Sequence, residues 1–356
     1  MRCYIKKNVV QATIERLNYI FDRYEDIVVS VSGGKDSQLM FELTHQIARE
    51  RGREFHVYFL DQEAEYQATI DVVKSIMTRD GVIPNWYQVP IYLTNATSQD
   101  EEWLYAWGEG EKWMREKDPL AIHEIKAEYP KRFYKFISWF EKQWGDNAAF
   151  LVGLRAEESL NRYRAVIKNP GVDDILWSTA GDTIKFYPIY DWSFDDVFLY
   201  FYQNNIRYNR IYDYMHVMDP GMQIRKMRVS NLIHEKAFKA LTSLQVFEPE
   251  TFDKLQKRLK GVHTAAIYAN ESSVYNNMKR PGKFSTWKEY RDHLLNTSPT
   301  HFKQKFIDRF AKQPKKENIY KQQVKQLLLN DWENNIPVQD KTEETEKRLE
   351  YWRTVL

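Results

Sequence analysis

The stretch Ile27-Val28-Val29-Ser30-Val31-Ser32-Gly33-Gly34-Lys35-Asp36-Ser37 decides how this chain folds. Its first half is an apolar, β-branched run that reads as a buried strand, and Gln38-Leu39-Met40-Phe41-Glu42-Leu43-Thr44 reads as a helix. A glycine turn between a strand and a helix leaves backbone N–H groups pointing outward at the positive end of the helix dipole, an arrangement that binds phosphate. Gly33 and Gly34 let an anion approach without a Cβ in the way, and Lys35 adds a mobile positive charge. Ser32 and Ser37 can add hydroxyl donors, while Asp36 or Ser37 can satisfy free amides of the first helical turn. Neither the Walker A spacing, G-x-x-x-x-G-K-S/T, nor the dinucleotide spacing, G-x-G-x-x-G, is present here.

Working outward, residues Asn8 to Tyr24 place Val9, Ala12, Ile14, Leu17, Ile20 and Phe21 at helical spacing. The strand Asp26–Ser32 is followed by a helix running through Arg49 and by a second strand, Phe55–Leu60, that ends at Asp61. Thr69 to Thr78 reads as helix and Trp86–Ile91 as a third strand. The sheet resumes at Asn147–Gly153, and Lys185–Ile189 is a short strand or extended segment. This alternation predicts an α/β fold, a parallel twisted sheet with helices on both faces. Between Ser98 and Trp144 strand signals stop and tryptophans 103, 107, 113, 139 and 144 sit among charges, which reads as a mainly helical insertion at about 98–146. Beyond Asn204 the pattern is mostly helical. The expected division is a nucleotide-binding domain over 1–235 and a basic, mainly helical C-terminal region over 236–356, with Asp340–Val355 as an amphipathic helix.

Composition bounds the chemistry. The 356 residues are 43% hydrophobic and 29% charged, normal for a globular protein. No run approaches the roughly 18 apolar residues of a membrane span, and the N-terminus lacks a signal peptide's apolar core, so a cytoplasmic protein with no membrane partner is expected. One cysteine, Cys3, excludes an intrachain disulfide, a Cys-only zinc site and a cluster held by four thiolates of this chain. The formal charge of +2 argues nothing by itself.

Ligands of open α/β sheets lie at the carboxyl ends of the strands, so the residues after each strand are the candidates. Asp61 stands at the tip of the second strand and can hold magnesium or accept ribose and adenine hydrogen bonds. Glu63 and Glu65 either share that task or begin the next helix. After Phe150–Val152 come Gly153-Leu154-Arg155-Ala156-Glu157-Glu158-Ser159-Leu160-Asn161-Arg162 and then Arg164. Guanidiniums bind phosphate or sulfate oxygens in bidentate fashion, whereas Glu158 and Arg162 also have the spacing of a surface i,i+4 pair. In Tyr187-Pro188-Ile189-Tyr190-Asp191-Trp192-Ser193-Phe194-Asp195-Asp196-Val197, Ser193 with Asp195 and Asp196 makes a helix start, and Asp191 and Asp196 are functional or architectural carboxylates.

Taken in order, these motifs carry a resemblance. Ser32–Ser37 resembles the pyrophosphate loop (PP-loop) of the ATP pyrophosphatase superfamily, with its adenine nucleotide alpha-hydrolase-like fold. Gly153–Arg162 looks like the Gly-Leu-Arg-x-x-Glu-Ser-x-x-Arg segment of the phosphoadenylyl-sulfate (PAPS) reductases in that superfamily. Pro188–Val197 and Asn209-Arg210-Ile211-Tyr212-Asp213 resemble that family's Pro-Ile-x-x-Trp-x-x-x-Asp-Val and Pro-Leu-Tyr-Asp segments. The resemblance covers roughly residues 20 to 215 and is nearest to the stand-alone, immunoglobulin-binding regulator A type. PAPS reductases attack sulfur with a cysteine near the C-terminus. Tyr212–Gly221 and Tyr351–Leu356 hold no thiol, so thiol-dependent reduction by this chain alone is not expected.

The resemblance then implies the superfamily's other chemistry: ATP is cleaved between its α and β phosphates, an acceptor is adenylated and pyrophosphate leaves. The implied nucleotide site is Ser32, Gly33, Gly34, Lys35, Asp36, Ser37, Asp61, Gly153, Arg155 and Arg162. Lys35, Asp36 and Arg155 are the catalytic candidates, Asp36 and Asp61 the ligands of Mg2+, and Glu158 and Arg164 face the acceptor. Two other expectations stand beside it. One is a non-catalytic ATP or PAPS sensor with a protein partner, or with nucleic acid held by Arg225, Lys226, Arg228, Lys254, Lys257, Arg258 and Lys260. The other is a subunit of a nucleic-acid sulfur-modification or anti-phage system.

Overall fold

The protein is described by a computed structural model over residues 6–95, 97, 103–145, 147–167, 171–218, 227–234, 238–263, 266, 280–298, 303–332, 334 and 338. It divides into two compact units. One comprises Met1–Leu93, Tyr105–Leu232 and Phe247–Lys254, and the other Thr94–Leu104, Ile233–Val246 and Leu255–Leu356.

The first unit is built on a six-stranded sheet of β1 (Asp26–Ser30), β2 (Phe55–Leu60), β3 (Val82–Tyr87), β6 (Ala148–Val152), β7 (Ser178–Ala180) and β8 (Ile184–Phe186), in the order β3-β2-β1-β6-β8-β7. All neighbours are parallel except β7 and β8, which pair antiparallel at one edge. Ile27, Val28 and Val29 are buried, as a central strand covered on both faces requires. Helix α1 (Val9–Arg23) starts with a capping box in which Asn8 and Gln11 exchange side-chain and backbone hydrogen bonds. Helix α2 (Lys35–Glu50) buries Leu39, Met40, Phe41, Leu43 and Ile47, and α3 (Gln67–Met77) buries Val72, Val73 and Ile76. These side chains join Phe55, Val57, Phe59, Trp86 and Leu151 in one apolar core.

Two details differ from the sequence-based expectation. The third strand begins at Val82 rather than Trp86, and Pro84 is tolerated in it because β3 is an edge strand. Pro90 separates it from β4 (Ile91–Thr94). The short strand read at Lys185–Ile189 is present as β8, one arm of a hairpin whose other arm is β7. Among its described residues the insertion is not mainly helical: β5 spans Trp103–Ala106, residues 107–132 run mostly as turns and bends, and only α4 (Phe133–Lys142) is an α-helix. Gly108, Gly110, Pro119 and Pro130 interrupt any helical ladder there. The segment is held instead by side chains at the end of β2.

The remaining helices are α5 (Leu160–Ile167), α6 (Phe194–Gln203), α7 (Ile211–Met218), α8 (Phe238–Phe247), α9 (Pro249–Arg258), α10 (Trp287–Thr297), α11 (Lys303–Ala311) and α12 (Glu317–Leu328). In the second unit Leu295, Phe306, Phe310, Leu327 and Trp332 form a separate apolar core. The helix expected over Asp340–Val355 lies outside the described residues. Among those described, no helix is long and apolar enough to cross a membrane.

Candidate nucleotide site

The strand order reverses between β1 and β6, and the loops after these two parallel strands meet there. This is the crevice in which open α/β sheets bind ligands. Gly33 sits at φ +67°, and a Cβ on it would lie 2.6 Å from Thr69 Cγ2, so glycine is required on two counts. The turn is held from inside: the Ser32 amide donates to Ser37 Oγ at 3.0 Å, and Ser37 Oγ donates to the Gly34 carbonyl at 3.0 Å. Asn209 Nδ2 donates to the Gly33 carbonyl at 2.9 Å and to Thr69 Oγ1 at 3.1 Å, tying the loop to the start of α3. The Lys35 amide donates to the Tyr212 hydroxyl at 3.0 Å. Gly153, at the end of β6, packs on the first turn of α2: a Cβ there would come within 2.6 Å of the Asp36 carbonyl oxygen.

Behind the loop lies a buried set of charges. Lys35 and Arg155 are each 1% exposed. Asp36 joins them, accepting from Arg155 Nε at 2.6 Å and from Lys35 Nζ at 3.1 Å. Arg155 also reaches Glu157 at 3.3 Å, and Glu157 in turn accepts from the Phe194 amide at 2.8 Å, so the loops after β6 and β8 are joined through it. Burial pulls the Lys35 ammonium below its usual pKa, and Asp36 opposes the shift. At the crevice's outer side Glu158 is paired with both Arg162 and Arg228. Burial lowers the pKa of Arg162, and the Arg228 charge adds to the effect.

The Asp61-Gln62-Glu63 turn anchors the insertion. Asp61 is fully buried. It accepts from Trp86 Nε1 at 3.0 Å, from Gln88 Nε2 at 2.9 Å, from the Glu63 amide at 2.9 Å and from Arg115 through both oxygens. Glu63 accepts from the Trp107 amide at 2.9 Å and the Met114 amide at 3.1 Å. Glu65 is buried, and burial, with Asp61 nearby, raises its pKa to about 8. The carboxylates considered for magnesium do not fit it: Asp61 is committed to Arg115 and three other donors, and Asp36 to Lys35 and Arg155. Among the described residues no group of three or more His, Cys, Asp or Glu side chains is placed to hold a metal ion.

The structure thus gathers Ser32, Gly33, Gly34, Lys35, Asp36, Ser37, Gly153 and Arg155 at one point, with Arg162 and Glu158 beside them. It sets Asp61 into the wall of the insertion and leaves Arg164 exposed on α5. Asp191 is architectural, forming a two-pronged pair with Arg16, and Asp196 caps α6 through Ser193. Trp192 is core, its Nε1 donating to Thr13 Oγ1 at 2.8 Å. Of the basic residues, Arg225 and Lys226 lie outside the described residues. Arg228 is at the crevice, and Lys254, Lys257 and Lys260 are exposed. Sequence reasoning assigned no site role to Tyr212, Asn209, Glu157 or Arg115. The signal for the first two was their place in the segment after α6, quoted only as a motif.

The sequence matches the family described as phosphoadenosine phosphosulfate reductase domain over residues 26–217, and the Domain of unknown function (DUF3440) over 221–349. It is 30% identical over 324 residues to the uncharacterized protein YbdN of Escherichia coli, covering 85% of this chain and 79% of YbdN. It is 24% identical over 199 residues to the adenosine 5'-phosphosulfate reductase of Oceanobacillus iheyensis, covering 55% of this chain and 70% of that one. Among solved structures it is similar to a phosphoadenylyl-sulfate reductase from Candida auris, at 12% identity and TM-score 0.34, over 65% of this chain and 97% of that chain. It is similar to a Candida glabrata FMN adenylyltransferase, at 12% identity and TM-score 0.38, over 60% of this chain and just 64% of that chain. At these TM-scores neither likeness bears on chemistry.

Proposed function

This chain belongs to the phosphoadenosine phosphosulfate reductase domain family, and from that premise we propose that it binds ATP at the β1/β6 crevice and cleaves it between the α and β phosphates. An acceptor oxygen attacks the α-phosphorus, the bond to the β-phosphate oxygen breaks, and pyrophosphate departs with its electron pair. The observation that carries this reading is the meeting of the glycine turn with Arg155 through Asp36, which sets oriented amides and a buried guanidinium beside one another.

Such a transfer needs charge stabilisation on the leaving group more than a protein nucleophile. The loop amides and the Ser32 hydroxyl receive the departing phosphates, while Ser37 holds the turn from inside. Lys35 and Arg155, fixed by Asp36, supply positive charge from behind, and Arg162 meets the α-phosphate or the acceptor. Asp36 and Asp61 are committed to Lys35, Arg155 and Arg115, so no step is assigned to a bound metal. Sulfur reduction is not part of this reading, because the sequence has one cysteine, Cys3, which lies outside the described residues.

The test is product analysis with α-labelled ATP. Labelled AMP or an adenylated acceptor, together with pyrophosphate, is expected, and Lys35→Ala should suppress it. Labelled ADP with inorganic phosphate would overturn the reading, as would a folded Lys35→Ala protein with unchanged release of pyrophosphate.

A further inference from the structure

The hydroxyl of Tyr212 has a hydrogen that the protein does not use. Its oxygen accepts from the Lys35 amide at 3.0 Å, and the described contacts of this side chain include no acceptor for its own proton. The residue is 4% exposed, and burial, with Asp36 nearby, raises its pKa, so the proton stays in place across the physiological range. A buried hydroxyl with an unused donor is costly unless something meets it.

Its surroundings say what that is. A Cβ built on Gly34 would lie 3.3 Å from the Tyr212 hydroxyl and 3.5 Å from Ser32 Oγ. The bare face of Gly34 is therefore flanked by two hydroxyls, at the amino end of a 16-residue helix. The ring of Tyr212 also lies 5.2 Å from Lys35 Nζ, so one side chain touches the loop's amide and its cation together.

We propose that Tyr212 completes the phosphate cradle: its hydroxyl accepts from the Lys35 amide and donates to an oxygen of a phosphate resting over Gly34, opposite Ser32. The ligand chemistry is a polyphosphate oxyanion, free or carried by a nucleotide. The role differs from the capping of an amide alone, because it selects for the phosphate-bearing part of the ligand. The inference rests on the reading of the crevice as a nucleotide site.

The experiment measures binding of ATP, inorganic pyrophosphate and adenosine to the full chain and to Tyr212→Phe. The variant keeps the ring and its packing. The expected result is a loss of about tenfold to a hundredfold for ATP and pyrophosphate, the usual effect of removing a hydrogen bond to a charged group, with adenosine unchanged. Equal weakening of all three ligands would mean that Tyr212 only supports the fold, and no weakening would remove the proposal. Gly34→Ala is the second variant. Its φ of −87° suits alanine, and its methyl would stand between the two hydroxyls. Selective loss of the phosphate-bearing ligands is expected again, and full retention would overturn the cradle. If the unaltered protein binds neither ATP nor pyrophosphate, the nucleotide reading itself fails, an outcome distinct from the failure of Tyr212.

Discussion

Asp36 is asked to do two things at once, and its neighbours define both. It sits in the first turn of the helix that follows the glycine turn, and it is the carboxylate on which two buried cations converge. Arg155→Met would keep most of the side-chain volume while leaving Asp36 and Glu157 without their shared partner. Removing one member of a buried pair typically costs about 3–5 kcal/mol. A loss of that order in urea unfolding is expected, and a loss near zero would mean that the guanidinium is not held as described. Glu65 gives a pH signature. Its carboxyl keeps its proton up to about 8 in the folded chain, against 4.5 for the ordinary group. The unfolded state therefore binds fewer protons between those values, and stability falls as pH rises through that window, by roughly 1.4 kcal/mol per pH unit for one group. The contribution is complete below 4.5 and gone above about 8. Melting curves of Glu65→Gln should be flatter than the parent's across that window; an equal slope would place the dependence elsewhere.

At the scale of elements, the turn between β1 and α2 is fixed by space as much as by backbone angle, and two glycines separate the effects. Gly52 and Gly33 both have positive φ, +59° and +67°, but nothing lies within 4 Å of a Cβ on Gly52, whereas Thr69 blocks one on Gly33. Gly52→Ala should cost only the left-handed penalty of about 1–2 kcal/mol. Gly33→Ala should cost more and should also displace the loop, weakening pyrophosphate binding; equal costs would mean that α3 does not press on the turn. Gly153→Ala belongs to the same group, since its Cβ would force β6 away from the first turn of α2. Local pattern made these elements legible: the apolar run of β1, the helical spacing of α1 and the Ser193 start of α6 were all readable from neighbours in sequence. The insertion was not. Its backbone is held by Glu63 and Gln88 and its Arg115 side chain by Asp61, all distant in sequence, and a segment without its own periodicity announces no such partners.

At the scale of the whole molecule, two apolar cores serve two units. Phe41, Phe55 and Trp86 belong to one, and Phe306, Phe310 and Trp332 to the other. Phe306 is fully buried, and Phe→Ala in such a place costs about 3–5 kcal/mol. Thermal unfolding of Phe306→Ala should lower one transition and leave a second, that of the sheet-bearing unit, near its original temperature. A single transition shifted as a whole would show the two cores to be thermodynamically one.

The sequence by itself determined the parallel sheet, the glycine turn after its first strand and the arginine segment after β6, because strand periodicity and glycine turns are local properties. It could not assign partners to charges. Asp61, at a strand tip, looked open to a cation, yet Arg115 closes over it from an insertion more than fifty residues away. Tyr212 was visible only as a member of a family-like segment with no role attached, yet its hydroxyl reaches an amide across 177 positions of chain. Which polar groups meet is a matter of packing, since a buried donor or acceptor must find a partner wherever the fold supplies one, and only the tertiary structure states where that is.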